Sequence, residues 1–130
     1  MSARRLIALE PDELMVVSAH VQDSKLRVAD VRWRPAEQRL ILAVQRPDWE
    51  AQIAGTADAP PHDAVLRFER VRTCQARGVD MSDPLTLLTL LAVDFRPLAA
   101  PGGEVLLHFA EGATLRLTVE CLECELADLA

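Results

Sequence analysis

The segment CLECEL places Cys121 and Cys124 in the Cys-x-x-Cys spacing used by zinc knuckles and thiol redox sites. Either chemistry asks for more than this pair. A structural zinc ion takes four ligands, commonly two close pairs on turns that aim their donors at one point. Only Cys74 remains, and the histidines are scattered at 20, 62 and 108, so no metal is expected. A redox pair opens a helix, whose N-terminus lowers the thiol pKa. Glu120, Glu123 and Glu125 surround this one and act in the opposite sense. The plainer role, two side chains of a strand, is the expectation. Glycine-rich phosphate loops, nucleophile elbows and His-Glu-x-x-His motifs are absent, and no cofactor is expected.

SAHVQDS holds the densest set of catalytic residue types. On a helix Asp23 lies one turn after His20 and can orient its imidazole. Ser18 sits about 160° from His20 around the helix, which is poor geometry for a Ser-His-Asp triad. Further on, QRPDWE puts Arg46, Asp48, Trp49 and Glu50 at the exit of a strand. One functional reading follows: a small hydrolase-like enzyme using His20, Asp23, Arg46 and Glu50 in a common pocket. Against it stands a solvated His–Asp pair at a helix edge and a loop anchored by a buried tryptophan. His62, in a proline-rich loop, is expected to be exposed. His108 alternates with Leu107 and Phe109 and so points away from their side.

Charge offers the second reading. The chain carries a net charge of −6, which argues against nonspecific binding to nucleic acid phosphates. Residues 25 to 46 nevertheless carry six basic and two acidic groups, and residues 64 to 77 carry four and one. Arg27, Arg32, Arg67 and Arg72 fall at matching positions of two strand-like words, off the apolar columns. With Arg46 they are candidates to grip a small anion or an acidic protein surface. The competing expectation is that they pair with Glu120, Glu123 and Glu125 across the sheet. The function expected is a non-enzymatic binding or protein-interaction module with an arginine-lined sheet face, acting as a homodimer.

These side chains need a scaffold. EPDELMVVSAHVQDS reads as a helix, with Pro11 at its first position, Asp12 and Glu13 in the first turn, and Leu14, Val17 and Val21 as its apolar stripe. The remainder reads as strands: RLIAL, 25–34, 39–46, 64–75, 86–95, EVLLHF and ATLRLTVECLECEL. Asp83-Pro84 could instead cap a helix ahead of the apolar run LTLLTLLAV. Three words, LRVADVRW (26–33), LRFERVRT (66–73) and LTVECLEC (117–124), place apolar residues at positions one, three and six. Each alternates, slips by one residue and resumes, which predicts a β-bulge that bends the strand. The expected fold is α+β: an N-terminal helix on a curled antiparallel sheet of about six strands, a roll or partial barrel with the pleckstrin-homology arrangement as one candidate. Leu-Ala-Val recurs at 42–44 and 91–93, which would fit a duplicated hairpin.

Residues 1–130 are expected to form a single domain. The short apolar run near the start is too short to read as a signal peptide and none is expected, no stretch reaches membrane-span length, and the odd cysteine count suits a reduced cytoplasmic protein.

SAHVQDS, RPDWE, the LLAV strand and the ending VECLECELADL together resemble a family of short bacterial proteins, mainly alphaproteobacterial, catalogued as a domain of unknown function. The resemblance runs from Leu6 to Leu129, and Gln45 stands where that pattern has an asparagine. It implies a compact cytoplasmic domain. It brings no activity and no catalytic or ligand residue.

Overall fold

A computed structural model describes residues 4–56 and 59–129. The chain begins with strand β1 (Arg5–Ala8) and helix α1 (Pro11–Val21). Pro11 fits the helix start, and the Glu13 carboxylate accepts from the Leu9 and Glu10 N–H groups, which lack helical partners. Leu14, Val17 and Val21 are buried, as their spacing predicts.

There follow β2 (Ser24–Arg27), β3 (Val31–Arg34), β4 (Arg39–Arg46), the short helix α2 (Trp49–Ile53), β5 (His62–Phe68) and β6 (Val71–Arg77). The chain continues with β7 (Leu87–Pro97), β8 (Gly103–Phe109), β9 (Thr114–Val119) and β10 (Cys124–Asp128). The apolar run at 87–97 is thus a strand, not a helix. The ladders follow the order β1-β10-β5-β4-β2-β7-β8-β9-β6, with β3 also on β4. All the strand pairings among the described residues are antiparallel.

The α+β class stands, and the strand number does not: the sheet has ten strands, not about six. The physical reason lies in the three slipped words. Their apolar columns are buried or half-buried as read: Leu26, Val28, Val31 and Trp33; Leu66, Phe68 and Val71; Leu117, Val119, Leu122 and Cys124. The out-of-phase residue, however, marks the end of one strand and the start of another. A single turn of 3₁₀ helix at Val28–Asp30 separates β2 from β3. Arg70, with φ 59, turns β5 into β6. Residues 120–123 separate β9 from β10. The last two breaks face each other, joined by Glu69 N–H to Glu123 O and Glu120 N–H to Arg70 O, each 3.0 Å. The strand pair therefore bends as a unit. Register shifts lie between Val71 and Thr73, at the end of the second word, and between Leu90 and Ala92, outside all three. At the second, the Ser18 hydroxyl of α1 accepts the Val93 N–H at 2.9 Å, which ties the helix to the irregular strand.

Candidate functional site

Two regions concentrate polar side chains, one at an end of the core and one on the outer face of the sheet.

At the end of the core, three inward-facing columns finish in polar residues. On β4, Leu40, Leu42 and Val44 lead to Arg46; on β5, Phe68, Leu66 and Ala64 lead to His62; on β10, Cys124 and Leu126 lead to Asp128. Arg46 and Asp128 have side chains only 2% and 1% exposed. The guanidinium forks onto the carboxylate, Nε to Oδ1 and Nη2 to Oδ2, both at 2.7 Å, while Nη1 reaches the Pro47 carbonyl. The Arg4 N–H donates to the same carboxylate. Burial works to raise the Asp128 pKa, but the Arg46 fork and the Arg4 N–H outweigh it and hold the carboxyl below its ordinary value. Asp48 caps α2 by accepting the Ala51 N–H, and its Oδ2 lies 2.9 Å from His62 Nε2. Those two bonds lower its pKa, the backbone one first. Arg4 pairs with Glu50, and Glu50 Oε1 lies 3.7 Å from His20 Nε2.

Contacts thus run from Arg46 through Asp128, Arg4 and Glu50 to His20, so three of the four enzyme candidates do gather in one region. Asp23 does not join them. It sits just past α1 with φ 62, and His20 takes the Val16 carbonyl at Nδ1 instead. The expected loop at RPDWE is a helix start, and Trp49 is half-buried with Nε1 bonded to the Gln22 carbonyl. His62, read as exposed, has a side chain only 14% exposed because β5 begins with it. Sequence reading passed over Asp128 and His62. Their signal was present: each continues the buried phase of its strand, and a carboxylate on an apolar column calls for a buried cation. With all three guanidinium nitrogens of Arg46 engaged, this arrangement does structural work.

The cysteines are free thiols. Burial pushes Cys124 up to about 12 and Cys74 up to about 11. Among the described residues, no group of three or more His, Cys, Asp or Glu is placed to hold a metal.

On the outer face, the sequence-derived arginines divide. Arg67 lies between Glu69 (2.9 Å) and Glu125 (3.0 Å), and Arg72 lies 3.5 Å from Glu120. Arg70 adds a third such pair with Glu123 at 3.7 Å. Arg27 donates to the Leu85 carbonyl and lines a groove of about 530 Å³ with Lys25, Asp30 and Asp63, where charges of both signs meet. Arg32 is exposed on β3 and has no ion pair among the described residues.

A different set of arginines gathers on one groove. Arg77 on β6, Arg96 on β7 and Arg116 on β9 line a groove of about 510 Å³ with Gln75, Leu106 and Thr114. Their places follow from the ladders, since Thr114 stands opposite Arg77, Arg116 opposite Gln75 and Leu106, and Arg96 opposite Glu104. Arg96 donates to Glu104 at 2.5 Å, and Arg116 donates to Gln75 and lies 3.8 Å from Glu104. Asp94, opposite Leu106, is answered by His108 at 2.8 Å. Arg77 has no ion-pair partner among the described residues. Arg96 and Arg116 share one carboxylate, Glu104, and Arg77 adds a third guanidinium, which leaves the groove cationic on a protein of net charge −6.

Among the described residues, no helix is long and apolar enough to cross a membrane. No curated protein and no solved structure matches the chain. One family model does, over residues 4–130, described as "Protein of unknown function (DUF2948)". That match covers nearly the whole sequence, so the chain belongs to the DUF2948 family.

Proposed function

We propose that this protein is a non-enzymatic binding module that holds an anionic group, presented by a small ligand or an acidic protein surface, on the outer face of its sheet. One observation carries the reading: Arg77, Arg96 and Arg116 converge on a single groove with more positive charge than their neighbours neutralise. Guanidinium forks recognise carboxylate and phosphate oxygens in pairs, so a cluster of three selects anions over neutral ligands. A sheet curled into a roll or partial barrel, of which the pleckstrin-homology arrangement is one form, would hold these side chains on a rigid support.

The experiment is calorimetric titration of the protein with inorganic phosphate and with hexaglutamate at low ionic strength. Saturable binding of at least one, weakening as salt rises, is expected. Arg77→Glu lowers that affinity about tenfold or more. Heats that do not saturate with either probe, or an affinity that Arg77→Glu leaves unchanged, would contradict the assignment.

The enzyme reading retains one supporting observation, the approach of His20 to Glu50. It ranks second because Arg46 is committed to Asp128 and Asp23 stands apart.

A further inference from the structure

We propose that the ligand class of this surface is an extended acidic peptide that adds to the sheet as a strand beside β6. The inference rests on the arginine-groove reading and names what fills the groove. Among the described residues β6 pairs only with β9, which leaves its other side an open edge. Beyond the Val71 N–H, which donates to the Gln38 carbonyl, this edge is exposed: Arg72, Thr73, Gln75, Ala76 and Arg77 all face water. An open row of N–H and C=O groups is a template for another strand.

Side chains select which strand. Thr73, Gln75 and Arg77 stand opposite Thr118, Arg116 and Thr114 and share their outer face. The Arg116 side chain crosses from β9 onto β6, where its guanidinium donates to Gln75. Two cations therefore sit over the edge at alternate positions, those of Arg77 and Gln75. An added strand puts every second side chain on that face, so carboxylates two residues apart meet both guanidiniums. The intervening side chains turn toward the Cys74 and Ala76 side, where Cys74 packs against the core. Apolar residues suit those positions. The peptide thus alternates acidic and apolar residues.

The protein already uses this recognition once, internally. In strand β10, Glu125 stands between buried Cys124 and Leu126 and directly opposite Arg67. Glu123 and Glu120 meet Arg70 and Arg72 alongside. A second copy of β6 is a poorer partner. Antiparallel self-pairing would bring the Arg72 and Arg77 side chains of two copies onto one short ladder, and like charges facing each other destabilise a sheet. Edge arginines guard against self-association by this same repulsion. Here they also favour a strand of opposite charge.

The test compares a short peptide alternating Glu and Val, its isomer with the Glu and Val residues in separate blocks, and the alternating peptide N-methylated on one backbone edge. Affinity and amide exchange of residues 72–77 are measured, with inorganic phosphate titrated in parallel. The alternating peptide should bind about tenfold or more tighter than its block isomer. N-methylation should erase that advantage, and only the tight complex should slow exchange along β6. If all three peptides bind alike without protecting β6, strand addition is overturned while the arginine groove stands. If neither peptides nor phosphate bind, both ideas fall. Protection of β6 that rises with protein concentration, with no peptide present, would assign the edge to a second copy and also overturn the proposal.

Discussion

Arg46 and Asp128 are each withdrawn from water, and each answers the other's charge. Removing one partner leaves the other buried and uncompensated, which costs about 3–5 kcal/mol in proteins generally. Asp128→Ala should lose stability on that scale in urea unfolding, while the double change Arg46→Met with Asp128→Leu should recover most of it. Acid should act on the same bond. The folded pKa of Asp128 lies below its ordinary 3.8, so its contribution is complete above that value. It is lost as pH falls through the lowered folded value, and Asp128→Asn should flatten this acid limb of the stability profile. Asp48, lowered in the same direction, contributes a residual slope of the same sign. At neutral pH the Cys124 thiol is buried and protonated, with its pKa pushed up to about 12. Alkylation of the native protein should therefore reach Cys124 last, at a rate that follows unfolding.

Two contacts hold elements in place without belonging to any periodic pattern. Ser18 accepts the Val93 N–H just past the register shift of β7, and so ties α1 to the strand. Ser18→Ala should lose about 1–3 kcal/mol by leaving a largely buried donor unpaired, and Ser18→Thr should retain most of the stability. Gly103 opens β8 beneath β7. A Cβ there would lie 2.6 Å from the Arg96 carbonyl and 2.5 Å from the Phe95 ring. Gly103→Ala should destabilise the protein by about 1–3 kcal/mol, because backbone cannot give way as a flexible side chain can. Both effects are read by thermal or denaturant unfolding.

Across the whole molecule, period-two apolar columns carried most of the legible information. Buried and half-buried rows, the helix stripe and the α+β class all follow from local periodicity, two in the strands and 3.6 in the helix. What a slip means does not. One residue out of phase fits a bulge within a strand as well as a corner between two, and only partners distant in the chain decide. Glu69 meets Glu123 and Arg70 meets Glu120 through backbone bonds that no local pattern announces. The arginines show the same limit. For Arg67 and Arg72 the competing expectation of pairing with the late glutamates holds, since Glu125 and Glu120 occupy them. Arg77, Arg96 and Arg116 share no word, and become neighbours only once β6, β9, β8 and β7 lie side by side. Opposite outcomes for residues of one type thus depend on which carboxylates the ladders bring across.

The most direct test of the binding account is backbone amide NMR mapping during titration with hexaglutamate. Saturable shifts centred on Gln75, Arg77, Arg96 and Arg116 are predicted, with the His20, Glu50 and His62 region silent. Shifts centred on that region, or on Arg27 and Arg32, would contradict the account, as would a spectrum that changes neither with hexaglutamate nor with inorganic phosphate in its place.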